Sequence, residues 1–104
     1  MILLNTSFHM HLSVEDSFLA WVRNDYTAAL SAYPGMGAPT LARLLVQPDP
    51  ETVSYCFQMT ADDEQTAIAW HDSDIASALR DDLSRRFGER LVHFTTYMKI
   101  LPLQ

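Results

Sequence analysis

Four segments of the chain alternate apolar and polar residues, and each alternation predicts a β-strand with one buried face. The four segments are residues 2–12, 40–47, 52–60 and 91–101. After the first and third segments, the apolar residues recur at steps of three and four, which is the spacing of an amphipathic helix. The pattern therefore predicts the order strand, helix, strand, strand, helix, strand.

Capping and helix-breaking residues predict where the two helices begin and end. The first helix is expected to start at Ser13, whose hydroxyl can accept a hydrogen bond from a first-turn amide. It is expected to end before residues 34–39, which include two prolines and two glycines. The second helix is expected over residues 65–86, with a break or kink between His71 and Asp74. The residues expected on its inward face are Ile68, Ile75, Leu79, Leu83 and Phe87.

The order of elements restricts the architecture. Two strand-helix-strand units with right-handed crossovers place both helices on one face of a four-stranded antiparallel sheet, with the first and third strands in the centre. This is the α+β, ferredoxin-like βαββαβ sandwich. The length of 104 residues suits one core, so we expect a single domain over residues 1–104.

The alternation also predicts what each face of the sheet presents. The face toward the helices is expected to carry Phe8, Met10, Tyr55, Phe57, Phe94 and Met98. A polar open face is typically left to solvent, used for a ligand, or packed against a second copy. The candidate ligand or interface residues on this open face are Asn5, Ser7, His9, His11, Gln58, His93 and Tyr97.

Histidines supply the only candidate metal ligands. His9 and His11 are two residues apart on a strand and share a face, and His93 could reach the same corner, so three imidazoles could form an open divalent-metal site. No carboxylate accompanies them, so solvated or interface histidines are the favoured interpretation, and we expect no bound metal or cofactor. Trp70 and His71 could instead pair an aromatic wall with an acid-base group.

Composition narrows the partners and the compartment. The formal net charge is −6, which disfavours a nucleic-acid partner because such proteins neutralise phosphates with Lys and Arg. Cys56 is the only cysteine, so no intrachain disulfide is possible. We find no basic leader and no long apolar segment, so we expect a cytoplasmic protein without a membrane partner. No phosphate loop, zinc helix or serine elbow is present, and no catalytic residue is predicted.

Several short motifs together resemble a known family. They are the segments 1–5, 18–22 and 55–58, the pair Leu79-Arg80, and the segments 86–88 and 94–96. On these residues the chain resembles a bacterial family known as domain of unknown function 4286, which belongs with the dimeric α+β barrel proteins. The family pattern has a histidine where Tyr26 stands, another near Ile75, and an arginine where Thr95 stands, so the chain departs from it at all three positions. The resemblance implies a fold and a homodimer whose two sheets face each other, not a reaction.

Three functional hypotheses follow. The leading one is an uncharacterised homodimer formed through the open sheet face, which could enclose a small-molecule ligand. The second is a cofactor-independent enzyme of the barrel superfamily, of monooxygenase or isomerase type. The third is a metal-binding sensor that uses the three histidines. The first makes the fewest chemical demands, because an interface needs only shape and paired polar groups, so we favour a protein that is not an enzyme.

Overall fold

Residues 1–103 contain four strands and four α-helices, with strand and helical segments in the predicted order. A computed structural model describes residues 1–103. The strands are β1 (Ile2–His11), β2 (Thr40–Arg43), β3 (Thr52–Ala61) and β4 (Leu91–Lys99). The helices are α1 (Glu15–Trp21), which continues through a π-helical turn (Val22–Tyr26) into α2 (Thr27–Ser31), then α3 (Glu64–Asp72) and α4 (Asp74–Phe87).

The strands form one antiparallel sheet in the order β2-β3-β1-β4. The two central strands, β1 and β3, pair along their whole length, from Ile2 opposite Ala61 to His11 opposite Thr52. The helices cover one face, so the predicted ferredoxin-like α+β fold is confirmed. Strand β2 ends at Arg43 rather than at residue 47, because Leu45 is 95% exposed and has no core to pack against.

The helical segment before β4 is two helices rather than one. Ser73 has an extended backbone conformation, with φ −66° and ψ 152°, and its hydroxyl accepts a hydrogen bond from the amide of Ala76 at 3.1 Å. It therefore ends α3 and caps α4. The break predicted between His71 and Asp74 is confirmed.

This break changes which residues face inward. The prediction of one stripe through the whole segment was wrong for Ile68 and Ile75, which are 53% and 47% exposed. Ala67, Trp70 and Ala76 are buried instead. A non-helical residue at position 73 resets the helical phase, so spacing measured across it does not predict a common face. Leu83 and Phe87 lie beyond the break and are buried as predicted.

Aromatic side chains fill the core between the sheet and the helices. Phe18 of α1 is fully buried at its centre, with ring centroids 4.8 Å from Phe8 and 5.5 Å from Tyr55. Phe87 approaches the same ring edge-on at 6.5 Å. Tilted and edge-on contacts at these distances add to the stabilisation that burial gives. Phe18 thus links α1, both central strands and α4.

Strand β4 presents the opposite faces to those predicted. In its register with β1, His93 lies opposite Phe8 and Thr95 lies opposite Thr6. Residues paired across antiparallel strands share a face, so these side chains point toward the helices. The same argument places Tyr97, opposite Leu4, on the helix side. The residues of β4 on the open face are Val92, Phe94, Thr96 and Met98.

Phe18→Ala is expected to lower the free energy of unfolding by about 3–5 kcal/mol, because it removes a fully buried ring and leaves a cavity. Urea denaturation followed by circular dichroism measures this loss. Leu45→Ala, at an exposed position, is the control and should change stability by less than about 0.5 kcal/mol. Equal effects of the two substitutions would contradict the assignment of the core.

Candidate functional site

A cavity of about 200 Å³ lies between the helix-facing side of the β1–β4 edge and helices α3 and α4. Ala76 of α4 lines it, and a larger side chain at that position would reduce its volume. The polar residues that β4 turns toward the helices, His93, Thr95 and Tyr97, line it. The register that overturns the predicted faces of β4 therefore gives this cavity a polar wall on the helix side of the sheet.

Aromatic rings form the apolar walls of the cavity. Trp21 and Trp70, the only two tryptophans of the chain, both line it. The indole N–H of Trp21 donates to Asp82 Oδ2 at 3.0 Å, and Trp70 makes an edge-on contact with Tyr33 at 5.2 Å. Both indoles are held by these contacts, so the walls are preorganised for a flat apolar ligand.

Three hydroxyl groups form a neutral polar cluster on the cavity wall. A hydrogen bond of 2.8 Å joins the hydroxyls of Thr6 and Thr95 across β1 and β4. Burial raises the pKa of the Tyr26 phenol, and hydrogen bonding to Thr6 opposes that shift in part. Tyr26 is therefore neutral at physiological pH and can donate or accept a hydrogen bond. It is the last residue of the π-helical turn, a feature frequent at functional sites.

A histidine-tyrosine pair separates the cavity from an outer groove. His71 Nδ1 and Tyr97 Oη are 2.6 Å apart, and the two rings meet edge-on with centroids 5.4 Å apart. The outer groove, about 500 Å³ in volume, runs along the end of β4 and α3. Within the described residues, His71 and Tyr97 are the only two that line both spaces. This pair therefore forms the partition between the cavity and the groove.

Arg80 and His93 supply the remaining chemistry of the cavity. Arg80 Nη2 donates to the backbone oxygen of His71 at 3.0 Å, which anchors the guanidinium at the rim. Burial lowers the pKa of His93, and the positive charge of Arg80 lowers it further. His93 is therefore a neutral imidazole at pH 7 and can accept a proton.

The open face carries five of the seven predicted candidates, namely Asn5, Ser7, His9, His11 and Gln58. They are largely satisfied within the protomer. Gln58 Nε2 donates to Asn5 Oδ1 at 3.0 Å, and Asn5 Nδ2 donates to Ser7 Oγ at 3.2 Å. His9 Nδ1 lies 2.6 Å from the hydroxyl of Ser54. The centre of this face is thus a hydrogen-bonded polar stripe.

The structure does not bring the three predicted metal ligands together. His9 and His11 lie on the open face, whereas His93 lies on the helix side, so the geometry of the three-histidine hypothesis was wrong. Within residues 1–103, no group of three or more His, Cys, Asp or Glu side chains is placed to hold a metal ion.

Membrane insertion is a separate question. No helix among the described residues has the length and apolar character needed to cross a membrane.

Most of the cavity residues escape prediction from the sequence. Tyr26 and Leu79 follow an ordinary core stripe, and Arg80 belongs to one of the short motifs of the family resemblance, which gives it no role. One signal is visible in hindsight: Thr6 interrupts the apolar face of β1, between Leu4 and Phe8, and is the one buried polar side chain among the described residues. A buried hydroxyl needs a hydrogen-bond partner, so Thr6 indicates that another polar group shares its side of the sheet.

Solved structures share this fold over nearly their whole length. HapK from Hahella chejuensis is 17% identical, with a TM-score of 0.75, covering 97% of this chain and 93% of that one. An antibiotic biosynthesis monooxygenase is 15% identical, with a TM-score of 0.70, covering 98% and 100%. A protein of the ethyl tert-butyl ether D family from Bacillus halodurans is 15% identical, with a TM-score of 0.66, covering 92% and 97%. At these identities the likeness shows the fold alone.

Sequence comparison identifies the family. No curated protein sequence matches the chain. A family model described as a domain of unknown function, DUF4286, matches residues 1–101. That match spans nearly the full length, which agrees with the resemblance carried by the short motifs. The chain therefore belongs to the DUF4286 family.

Proposed function

We propose that this chain is a homodimeric small-molecule-binding protein, with one ligand site inside each protomer. The observation that carries the proposal is the cavity of about 200 Å³. Its walls include two indole rings that are fixed by their own contacts, and a few polar side chains also line it. Concave sites of this composition are the usual form of a small-molecule site. The likeness to a solved antibiotic biosynthesis monooxygenase supports the proposal, because that protein shares the fold around the cavity.

The location of the site differs from the sequence-based hypothesis. That hypothesis put the ligand between two facing sheets, among the polar residues of the open face. Those residues hydrogen-bond to one another, which leaves fewer groups to hold a ligand. The cavity on the helix side instead has Tyr26, His71 and His93 together on its lining. We therefore assign ligand binding to the helix side and dimerisation to the open face.

The open face has the composition of a protein interface. Phe94 and Val92 on β4 are 65% and 59% exposed. Leu44 lies just beyond β2, where its backbone N–H donates to the backbone oxygen of Ser54, and its side chain is also exposed. Apolar side chains thus flank the hydrogen-bonded polar stripe on both edges of the sheet. A second copy would bury these side chains, and the stripe could be covered because its polar groups already have partners.

A second candidate function is a cofactor-independent enzyme built on the same cavity. It is favoured by one observation: several titratable groups with perturbed pKa values, Tyr26, His93 and Tyr97, meet there. Neutral His93 could remove a proton from a bound substrate, and Arg80 could stabilise the oxygen anion that forms. The proton moves to the imidazole, and the electron pair of the bond that held it stays on the substrate.

Ligand binding is tested by the fluorescence of the protein, because both tryptophans line the cavity. Titration with phenol and benzamide should give a saturable change in emission. Ala76→Leu, which fills the cavity, should abolish this change, whereas Ala78→Leu, at an exposed position of the same helix, should preserve it. Circular dichroism confirms that both variants fold. Identical titrations for the two folded variants would contradict the site.

Dimerisation is tested by light scattering at micromolar concentration. The wild-type protein should have twice the mass of one chain. The double variant Val92→Asp, Phe94→Asp should be monomeric, because it places two carboxylates in the proposed apolar contact. The matched control is Ile68→Asp, Ile75→Asp, which charges two exposed residues on the helices and should remain dimeric. A monomeric wild type would refute the dimer.

The protonation state of His93 is tested by NMR. Burial and Arg80 lower its pKa, so its imidazole should titrate below about 6.5, the value of an unperturbed histidine. The unfolded chain then takes up this proton at higher pH than the folded protein, and stability should fall as the pH drops below about 6.5 and level off below the folded pKa. His93→Gln assigns the resonance and should weaken this pH dependence. A midpoint at or above 6.5 would overturn the neutral base.

A further inference from the structure

Arg80 is the only lysine or arginine that lines the cavity in the described part of the chain. Among residues 1–103, it has no carboxylate within 4 Å, as is also true of Arg23 and Arg90, whereas Arg43, Arg85 and Arg86 each have at least one. One of its N–H groups is used on the backbone oxygen of His71. A guanidinium has five N–H donors, so most of its hydrogen-bonding capacity remains for another partner.

The positive charge of Arg80 acts on the interior of the cavity. It lowers the pKa of His93, and it opposes the rise in pKa that burial causes at Tyr26 and Tyr97. These three groups lie on the π-helical turn and on β4, so the charge reaches both sides of the cavity. Asp72 is the one carboxylate that also acts on Tyr97, where it raises the pKa. Within the described residues, no Asp or Glu lines the cavity itself.

Size and shape restrict what can enter. An engineered apolar cavity of about 150 Å³ in another protein holds a benzene molecule, and the cavity here is about 200 Å³. A single aromatic ring with one small substituent therefore fits. Trp21 and Trp70 both line the cavity, and an aromatic ring can make favourable offset or edge-on contacts with an indole.

We propose that the cavity selects a single-ring aromatic carboxylate, whose ring contacts the two indoles and whose carboxylate pairs with Arg80. This inference rests on the proposed small-molecule site. An arginine and a carboxylate can form two parallel charge-assisted hydrogen bonds, which gives both strength and orientation. A neutral ligand would leave the guanidinium without a counter-charge, and a cation would meet it with like charge. The net charge of −6 disfavours anions at long range, so the selectivity must come from this local group.

Three probes with one planar frame test the proposal: benzoate, benzamide and benzamidinium, which are negative, neutral and positive at pH 7.5. Binding is followed by tryptophan fluorescence and by chemical shifts of the indole N–H groups. Benzoate is expected to bind about tenfold or more tightly than benzamide, and benzamidinium most weakly. Arg80→Gln should weaken benzoate by the same factor and leave benzamide within about twofold.

Arg85→Gln is the matched control, since Arg85 lies on the same helix, points to solvent and pairs with Asp82. It should leave all three affinities unchanged, and circular dichroism shows whether each variant is folded. Equal affinity for the three probes, or a benzoate affinity unaffected by Arg80→Gln, overturns the ligand class while the small-molecule site stands. If none of the probes or phenol binds the wild type, both the ligand class and the small-molecule site are wrong.

Discussion

Thr6 and Thr95 face each other across β1 and β4, and the hydrogen bond between their hydroxyls marks the register on which the whole cavity depends. Side chains alternate along a strand, so a slip of one residue would move every side chain of β4 to the other face. The polar residues of β4 would then lie on the open face, and Val92, Phe94 and Met98 would fill the space under the helices. Pairing with the central strand therefore determines both surfaces of the protein.

The order of elements and the two central strands could be predicted from the sequence, because β1 and β3 each have one clearly apolar face. The faces of strand β4 could not be predicted in this way. One of its faces carries valine, phenylalanine and methionine, and the other carries histidine, threonine and tyrosine, so hydrophobicity favours the wrong face. An edge strand tolerates this inversion because the polar face lines a cavity and the apolar face is available to a partner.

Helices α3 and α4 show a second limit of periodicity. Serine, aspartate and histidine around position 73 indicated a break, and that break is present. The break changes the direction in which the side chains of α4 face relative to those of α3. That change depends on the backbone angles of Ser73, which cannot be deduced from the spacing of apolar residues. The cavity was equally hidden, because it brings together residues from β1, β4, α4 and the π-helical turn that are far apart in the chain. The sequence did indicate some of its lining: the pairing of Trp70 with His71, the candidates His93 and Tyr97, and the hydroxyl of Thr6 on an apolar face.

The π-helical turn that ends at Tyr26 contains one residue more per turn than an α-helix would. Each residue of an α-helix rotates the following side chain by roughly 100° about the axis. Five residues of a π-helical turn rotate the chain little further than four residues of an α-helix, so the helices on either side stay nearly in phase. Phe18 and Trp21 before the turn and Leu30 after it are accordingly all buried in the core. A local widening of one helical turn therefore accommodates the Tyr26 phenol on the cavity wall while the core residues of both flanking helices keep their positions.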